Sequence, residues 1–556
     1  MTKTPSSIAQ NGFLRSLLIA SVVIIALMRL IMVFRFEVNW DEFLNLSMIY
    51  DHQRGDLREL LQTGFIHLFR WLPYVSENEV DQIIAARLMM FFVVTMTTWF
   101  IFDTTRRLAS VNAALFAVLA YWSFSFTLRH GLSLRTDPLA LCCLMGAMWL
   151  TVSAVQFPKR IVLAGVLIGL AGFFTIKAIF YLPCLLMLAA VQLISQRSLR
   201  YFLVAATVAA ITSLAVFGGL IWLHSLTFVD YASPLNFIER TTDVTLSGEK
   251  FGIFKHYSTR AFVENLVWII PLSAGVITAL HQLSQSSHRV LGFTTLALAL
   301  PLATPLIYNQ FYPYFFPFVL ASAAVVSGNG FAHISRTTRP VIISALVLLT
   351  LLTGALSFIR SMHQTLDRQL LTLTVIHETF APGAPYIDAR TMVSSFPKHG
   401  PFMSTWGMTD YRAKNEPIMQ DIVNQHSPRF VLKSGWQLDL EGLTPEQSQN
   451  KPIGLLGEDL ATLRENYLPF WGPIYIPGKT LHPSSRSVSI IVDGTYRVNG
   501  GSVRFNGTNI VNYGETVDLL AGHHEIEILS GHSVSLIQDL PVPAKSPPSA
   551  PLFGRF

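Results

Sequence analysis

Two adjacent carboxylates, Asp41 and Glu42, stand directly behind Trp40 in the stretch FEVNWDEFLNLSMIY, which follows an apolar run from Leu14 to Phe34. Acids are thus placed about where the chain leaves a membrane, and a carboxylate there has two uses. It can take a proton from a hydroxyl, or it can open a helix, whose N-terminal dipole favours negative charge. Adjacent residues cannot both face one point, because about 100° separates them on a helix and they alternate on a strand. Further stretches carry residues of the same kind. LRHGLSLRTDPLAL crowds Arg129, His130, Arg135 and Asp137 into a short connection, although Asp-Pro is also an ordinary helix opening and Arg135 can simply pair with Asp137. FFTIKAIFYLP leaves Lys177 alone between two apolar runs, where a lysine also snorkels to an interface. YNQFYPYFFPFVL gathers Tyr308, Tyr312 and Tyr314, which fit a binding surface or an aromatic belt. The connection 225–261 adds Arg240, Lys250, Lys255, His256 and Arg260, and its TLSGEKFG reads as a movable lid or as a linker. Acids able to act as a base and cations able to hold a phosphate are therefore expected on one surface.

The elements that must position these residues are membrane helices. Only 13% of the 556 residues are charged and 51% are hydrophobic, against about 25% charged in a soluble domain. Apolar runs at 14–34, 83–102, 109–128, 138–156, 161–176, 178–195, 202–224, 262–282, 290–308, 314–330 and 340–359 predict eleven spans. The first run is too long for a cleaved signal and lacks a small-residue cleavage site, so it reads as the first span. One set of connections is basic: Arg106–Arg107, Lys159–Arg160, Arg197 with Arg200, Arg289, and Arg336 with Arg339. The positive-inside rule puts these and the N-terminus in the cytoplasm. The acidic loop 35–82, with two expected interfacial helices, and everything after 360 then face outward. A break at TIKA is required, since one unbroken helix over 161–195 would reverse every later loop. The net charge of +6 reports topology here and not nucleic-acid binding. Three cysteines, Cys142, Cys143 and Cys184, all lie in apolar runs, which excludes a disulfide scaffold.

Beyond residue 360 the texture is that of a soluble region. Helical periodicity over 361–380, then APYIDA, PIMQDIVNQHSP and RFVLKS, predict a small α/β subdomain over 361–472. From 473 to 542, DG, NGG and NG turns punctuate alternating residues and predict a β-sandwich that resembles a PEGA-type module. The proline-rich residues 543–556 read as a flexible tail. Asn506-Gly507-Thr508 is a formal glycosylation sequon but reads better as a hairpin turn, and His523 and His524 read as structural.

An acidic pair after the first span, a long first outer loop, RTDPLAL opening the fourth span and the TIKA turn together resemble the GT-C membrane glycosyltransferases. The likeness extends over roughly residues 14–330 and is nearest to the lipid A aminoarabinose transferases and the protein O-mannosyltransferases. Asp41-Glu42, Tyr50, Gly55-Asp56-Leu57 and HLFRWL follow the order of the family's first loop. One position departs: the family's lysine of that loop falls on Phe65, and its two prolines on Ile66 and His67. The resemblance implies a mainly α polytopic GT-C fold in a bacterial cytoplasmic membrane. It implies a sugar donor on polyprenyl phosphate and a glycan, glycolipid or protein acceptor. Asp41, Glu42 and Asp137 would be the catalytic group: Asp41 the base, Glu42 a supporting or acceptor contact, and Asp137 a group that orients the acceptor, binds a metal or sets Arg135. Lys177, Arg135, Arg70, His67, Lys255 and Arg260 are candidates for the donor phosphate. Trp40, Tyr308, Tyr312 and Tyr314 would contact donor or acceptor. No metal is required by any ligand spacing, although carboxylates with His67 would suit a divalent cation. A lipid transporter or flippase is the rival reading. It calls for ionisable residues at mid-depth in several spans, and here they cluster at one surface. A non-catalytic sensor would leave the acidic loop without a role.

Overall fold

The computed structural model of the protein describes residues 5–153, 158–196, 198–246 and 252–554. Among the described residues, seven helices are long and apolar enough to cross a membrane, and three shorter apolar ones, Val111–Ser123, Thr136–Val152 and Ile176–Val191, lie among them. The chain is a mainly helical polytopic membrane protein with seven to ten candidate spans, where eleven were expected. Local chemistry accounts for the shortfall. Phe124 turns extended (ψ 128°), so the expected span 109–128 becomes a 13-residue helix followed by the short helix Ser125–His130. Helix Pro158–Phe174 has 17 residues.

The bundle is assembled around Phe316–Thr337, which is buried almost throughout. Close approach is possible because its small residues meet small residues: a Cβ on Gly330 would lie 1.9 Å from the Pro271 carbonyl oxygen, and one on Gly275 2.2 Å from that of Val326. Without a hydrophobic drive between helices in lipid, such backbone contact is a principal source of adhesion. At TIKA the chain does break. Thr175 is extended (φ −158°) and its hydroxyl accepts the Lys177 N–H, starting a 3-10 turn that leads into Leu182–Gln196. Lys177 meets Asp137 and Cys184 meets Met148, so the segment after the break runs alongside helix Thr136–Ser153 in the same direction.

Polar contacts gather at the two ends. At one, Asp103 takes both Arg106 and Arg107 (2.5 Å each) and the Trp149 indole N–H (2.8 Å). At the other, Asn265 accepts the Ser125 N–H (2.9 Å) and Arg129 donates to Ser361 (3.2 Å). The loop 35–82 covers that second end with one long helix, Trp40–Arg54, and a short one, Ile66–Phe69. Gly55 closes the first in the left-handed region (φ +80°), where Val229 would also crowd a side chain.

Two open sheets form the C-terminal region. The strands are β1 (Tyr386–Asp388), β2 (Lys398–His399), β3 (Phe430–Leu432), β4 (Tyr467–Trp471), β5 (Ile474–Leu481), β6 (Ser487–Ile490), β7 (Gly494–Asn499), β8 (Ser502–Phe505), β9 (Asn509–Val511), β10 (Thr516–Leu519), β11 (Gly522–Ser530) and β12 (Val534–Gln538). The larger sheet runs β10-β7-β12-β5-β3-β1-β2, with β4 also on β5, and the smaller runs β6-β11-β8-β9. The two expected subdomains therefore share a sheet: β5 pairs at its start with β3 and β4 and at its end with β12. A separate apolar core, including Tyr496, Val498, Phe505 and Leu536, fills the space between the sheets beyond that junction. Residues 543–554 of the expected tail form no helix or strand but return to the bundle. Lys545 accepts from the Trp471 indole (2.7 Å), Pro551 accepts from Arg368 (2.6 Å), and Leu552 is buried.

Candidate active site

Asn39 sets the geometry of the acidic pair. It caps helix Trp40–Arg54: its side chain accepts the Asp41 N–H (2.9 Å), while Glu42 reaches back to the Asn39 N–H (3.1 Å). This fixes the two acids on different faces. Glu42 turns inward, is fully buried, and takes two Arg87 donors (2.8 and 2.5 Å) and the Leu134 N–H (3.0 Å). Expected as a supporting or acceptor contact, it joins the first loop to helix Glu79–Leu108 and to the RTDP connection. Asp41 turns outward to a partly open site.

There the charges alternate. Asp41 pairs with Arg135, Arg135 donates to Asp137 (3.4 Å), and Lys177 donates to both Asp137 oxygens (3.0 and 3.3 Å). Three segments distant in sequence are thus drawn to one point. Burial works against the Arg135 charge, but Asp41, Tyr314 and Asp137 outweigh it and hold its pKa above the ordinary value. Asn45 keeps the first contact in place by donating to the backbone oxygens of Asp41 (2.7 Å) and Leu134 (3.1 Å). Aromatic rings form the floor. Tyr314 lies under Arg135 (3.6 Å to the ring centroid) and near Lys177 (5.8 Å), and Tyr312 stacks on Tyr314 (5.6 Å). Tyr308 is buried against Phe180 (5.0 Å) and Phe315 (4.9 Å) and supports that floor from below.

Other expected residues lie elsewhere. His67 and Arg70 belong to the far end of helix Trp40–Arg54, roughly 16 Å from Asp41 at about 1.5 Å per residue. His67 bonds His224 (2.7 Å) and its ring meets that of His52. Burial, His52 and Arg70 lower its pKa, so it is neutral near pH 7 and offers no charge to a phosphate. Arg70 is exposed. Lys255 is exposed on helix Gly252–Glu264, and Arg260 on the same helix pairs with Glu264 (3.0 Å). Both flank the site without joining its charge chain. The lid expected at TLSGEKFG falls largely on 247–251, outside the described residues, as does Lys250.

Sequence reasoning missed two arginines. Arg87 has a signal, a charge inside an apolar run. Arg390 has none: it reaches Trp40 from the C-terminal region, its guanidinium 4.6 Å from the ring, and only packing brings it there. Among the described residues, no group of three or more His, Cys, Asp or Glu is placed to hold a metal ion. The carboxylates are instead matched with cations.

With this geometry in hand, comparisons with known proteins are informative. Residues 78–222 match the family model described as dolichyl-phosphate-mannose-protein mannosyltransferase. No curated protein sequence matches. Among solved structures, ArnT from Cupriavidus metallidurans, bound to undecaprenyl phosphate, is 12% identical with a TM-score of 0.52, covering 75% of this chain and 92% of that one. The oligosaccharyltransferase AglB from Archaeoglobus fulgidus, in complex with an inhibitory peptide and a dolichol-phosphate, is 12% identical with a TM-score of 0.55, covering 94% and 96%. The Archaeoglobus fulgidus oligosaccharyltransferase with zinc and sulfate is 10% identical with a TM-score of 0.50, covering 94% and 98%. At such identities the likeness is one of fold.

Proposed function

From the premise that the chain has the GT-C fold, we propose that the protein is a glycosyltransferase. It moves one sugar from a polyprenyl-phosphate donor to a lipid, polysaccharide or protein acceptor at the outer face of a cytoplasmic membrane. The observation that carries this reading is the Asp41–Arg135–Asp137–Lys177 chain at the mouth of the bundle. The relatives that carry undecaprenyl phosphate and dolichol-phosphate, and the mannosyltransferase model over 78–222, support the donor class.

The chemistry follows from the charges. An acceptor hydroxyl oxygen attacks the anomeric carbon as the bond from that carbon to the phosphate oxygen breaks, and the phosphate leaves with the electron pair. Asp41 takes the hydroxyl proton. For that it must be released from Arg135, which turns to the departing phosphate and neutralises it with Lys177. Asp137 holds both cations at that position. The sugar would leave with inverted configuration. A single phosphate carries less charge than a pyrophosphate, so the mechanism calls for no metal. On this reading the basic connections and the N-terminus are cytoplasmic and the residues after 360 lie outside.

Transfer from a synthetic undecaprenyl-phosphate-linked sugar, in detergent, tests the reading. Asp41→Asn should lose about 10²–10⁴-fold in rate while keeping its elution profile and melting temperature. A variant that turns over at the parental rate would remove Asp41 from the base role.

A further inference from the structure

Beside the Asp41–Arg135 group lies a second pocket, with walls from distant parts of the chain: Glu37, Trp40, Arg129, His130, Arg260 and Phe553. His130 also lines the cavity that holds Arg135, Asp137 and Tyr314. The two spaces therefore share a wall, and Asp41 follows Trp40 directly at their junction. Two guanidinium groups, Arg129 and Arg260, line the second pocket. Arg129 (3.7 Å), Arg260 (3.0 Å) and Arg360 (3.9 Å) converge on one Glu264 oxygen. Arg368 stands 3.7 Å from Glu37, whose oxygens also take the Gly554 N–H. Of these groups, Arg129, Arg260 and Glu37 line the pocket itself. Trp40 and Phe553, also in the lining, meet edge to face at 6.3 Å, presenting apolar ring surface beside the charge.

Resting on the glycosyltransferase reading above, we propose that this pocket is the acceptor subsite and that it takes a saccharide bearing an anionic group. The group is a phosphate or a carboxylate, both of which the planar guanidinium fork fits. The aromatic pair covers the apolar face of the sugar ring. An acceptor held there presents a hydroxyl to Asp41 on one side of the shared wall, with the donor phosphate on the other. This separates two jobs that the arginines would otherwise share: Arg135 serves the leaving group, and Arg260 selects the acceptor.

Calorimetric titration of the full-length protein in detergent tests the assignment, using glucose 6-phosphate, glucuronate, glucose and inorganic phosphate, with undecaprenyl phosphate titrated in parallel. Both charged sugars should bind at least about tenfold tighter than glucose, and glucose 6-phosphate at least about tenfold tighter than inorganic phosphate. Arg260→Gln, at a partly exposed position, should erase the preference for charge and leave undecaprenyl phosphate binding intact. Phe553→Ala should weaken every sugar while keeping that preference. Glucose binding as tightly as the charged sugars, or an unaltered preference in Arg260→Gln, would overturn the subsite. Inorganic phosphate matching glucose 6-phosphate would overturn its saccharide part. If undecaprenyl phosphate fails to bind while the charge preference persists, the transferase reading falls and the anionic-saccharide pocket stands.

Discussion

Asp41 and Glu42 are neighbours on one helical turn, yet one faces an open site and the other is sealed in protein. Burial of an ion is tolerable only with a full set of partners, and Glu42 has three from Arg87 and Leu134. Arg87→Met should therefore cost about 3–5 kcal/mol, because a charged carboxylate is left without its cation in the interior. Adding Glu42→Gln should recover much of that loss, as read from melting temperatures in detergent. Several residues of the candidate site were legible in the sequence for a physical reason. Asp41, Arg135, Asp137 and Lys177 interrupt or border apolar runs, where an ionisable side chain is costly to keep and marks a site. Arg70 and His67 were legible in type but not in place. A one-dimensional reading cannot tell which end of an interfacial helix faces the bundle's opening, and His67 proved to be bound up with His224.

The helices themselves were easier to read than their lengths. Hydropathy finds apolar runs, but whether a run makes one span or a broken one depends on single backbone torsions such as those of Phe124 and Thr175. TIKA was readable as a break because the basic connections downstream required it. At this scale the decisive device is the cap before the acidic pair. Asn39→Ala removes the acceptor for the Asp41 N–H and should cost about 1 kcal/mol of stability. It should also slow transfer more than it raises the donor KM, since Asp41, the proposed base, loses its fixed direction while Arg135 and Lys177 stay. Steady-state kinetics on the detergent-solubilised variant check this, and Asn39→Asp should restore the rate.

At the scale of the whole molecule, the C-terminal region is fastened to the bundle and not tethered beside it. β5 lies at the centre of the shared sheet, so truncation before Ile474 should leave β4 unpaired and strip β3 of one neighbour, unfolding the region from 386 onward. Limited proteolysis should then degrade it past a compact membrane core. The composition change near 473 in the sequence was real, yet pairing across it is a long-range event that composition does not record. A second fastening is sensitive to pH. His377 bonds Glu79 (2.9 Å); burial opposes its charge, but Glu79 outweighs this and raises its pKa above 6.5. Stability from this pair is complete below the unfolded value and is lost as pH rises through the higher folded value. Amide exchange over 367–379, corrected for its intrinsic rate, should quicken as pH climbs past about 6.5. In His377→Gln the profile should be flat.

The contact between Gly554 and Glu37 joins residues 517 positions apart. A ribosome adding roughly 5–20 residues per second would need about half a minute to two minutes between making one and the other. For that interval the nascent protein sits in the bilayer with its carboxylates in place and one wall of the neighbouring pocket still unsynthesised.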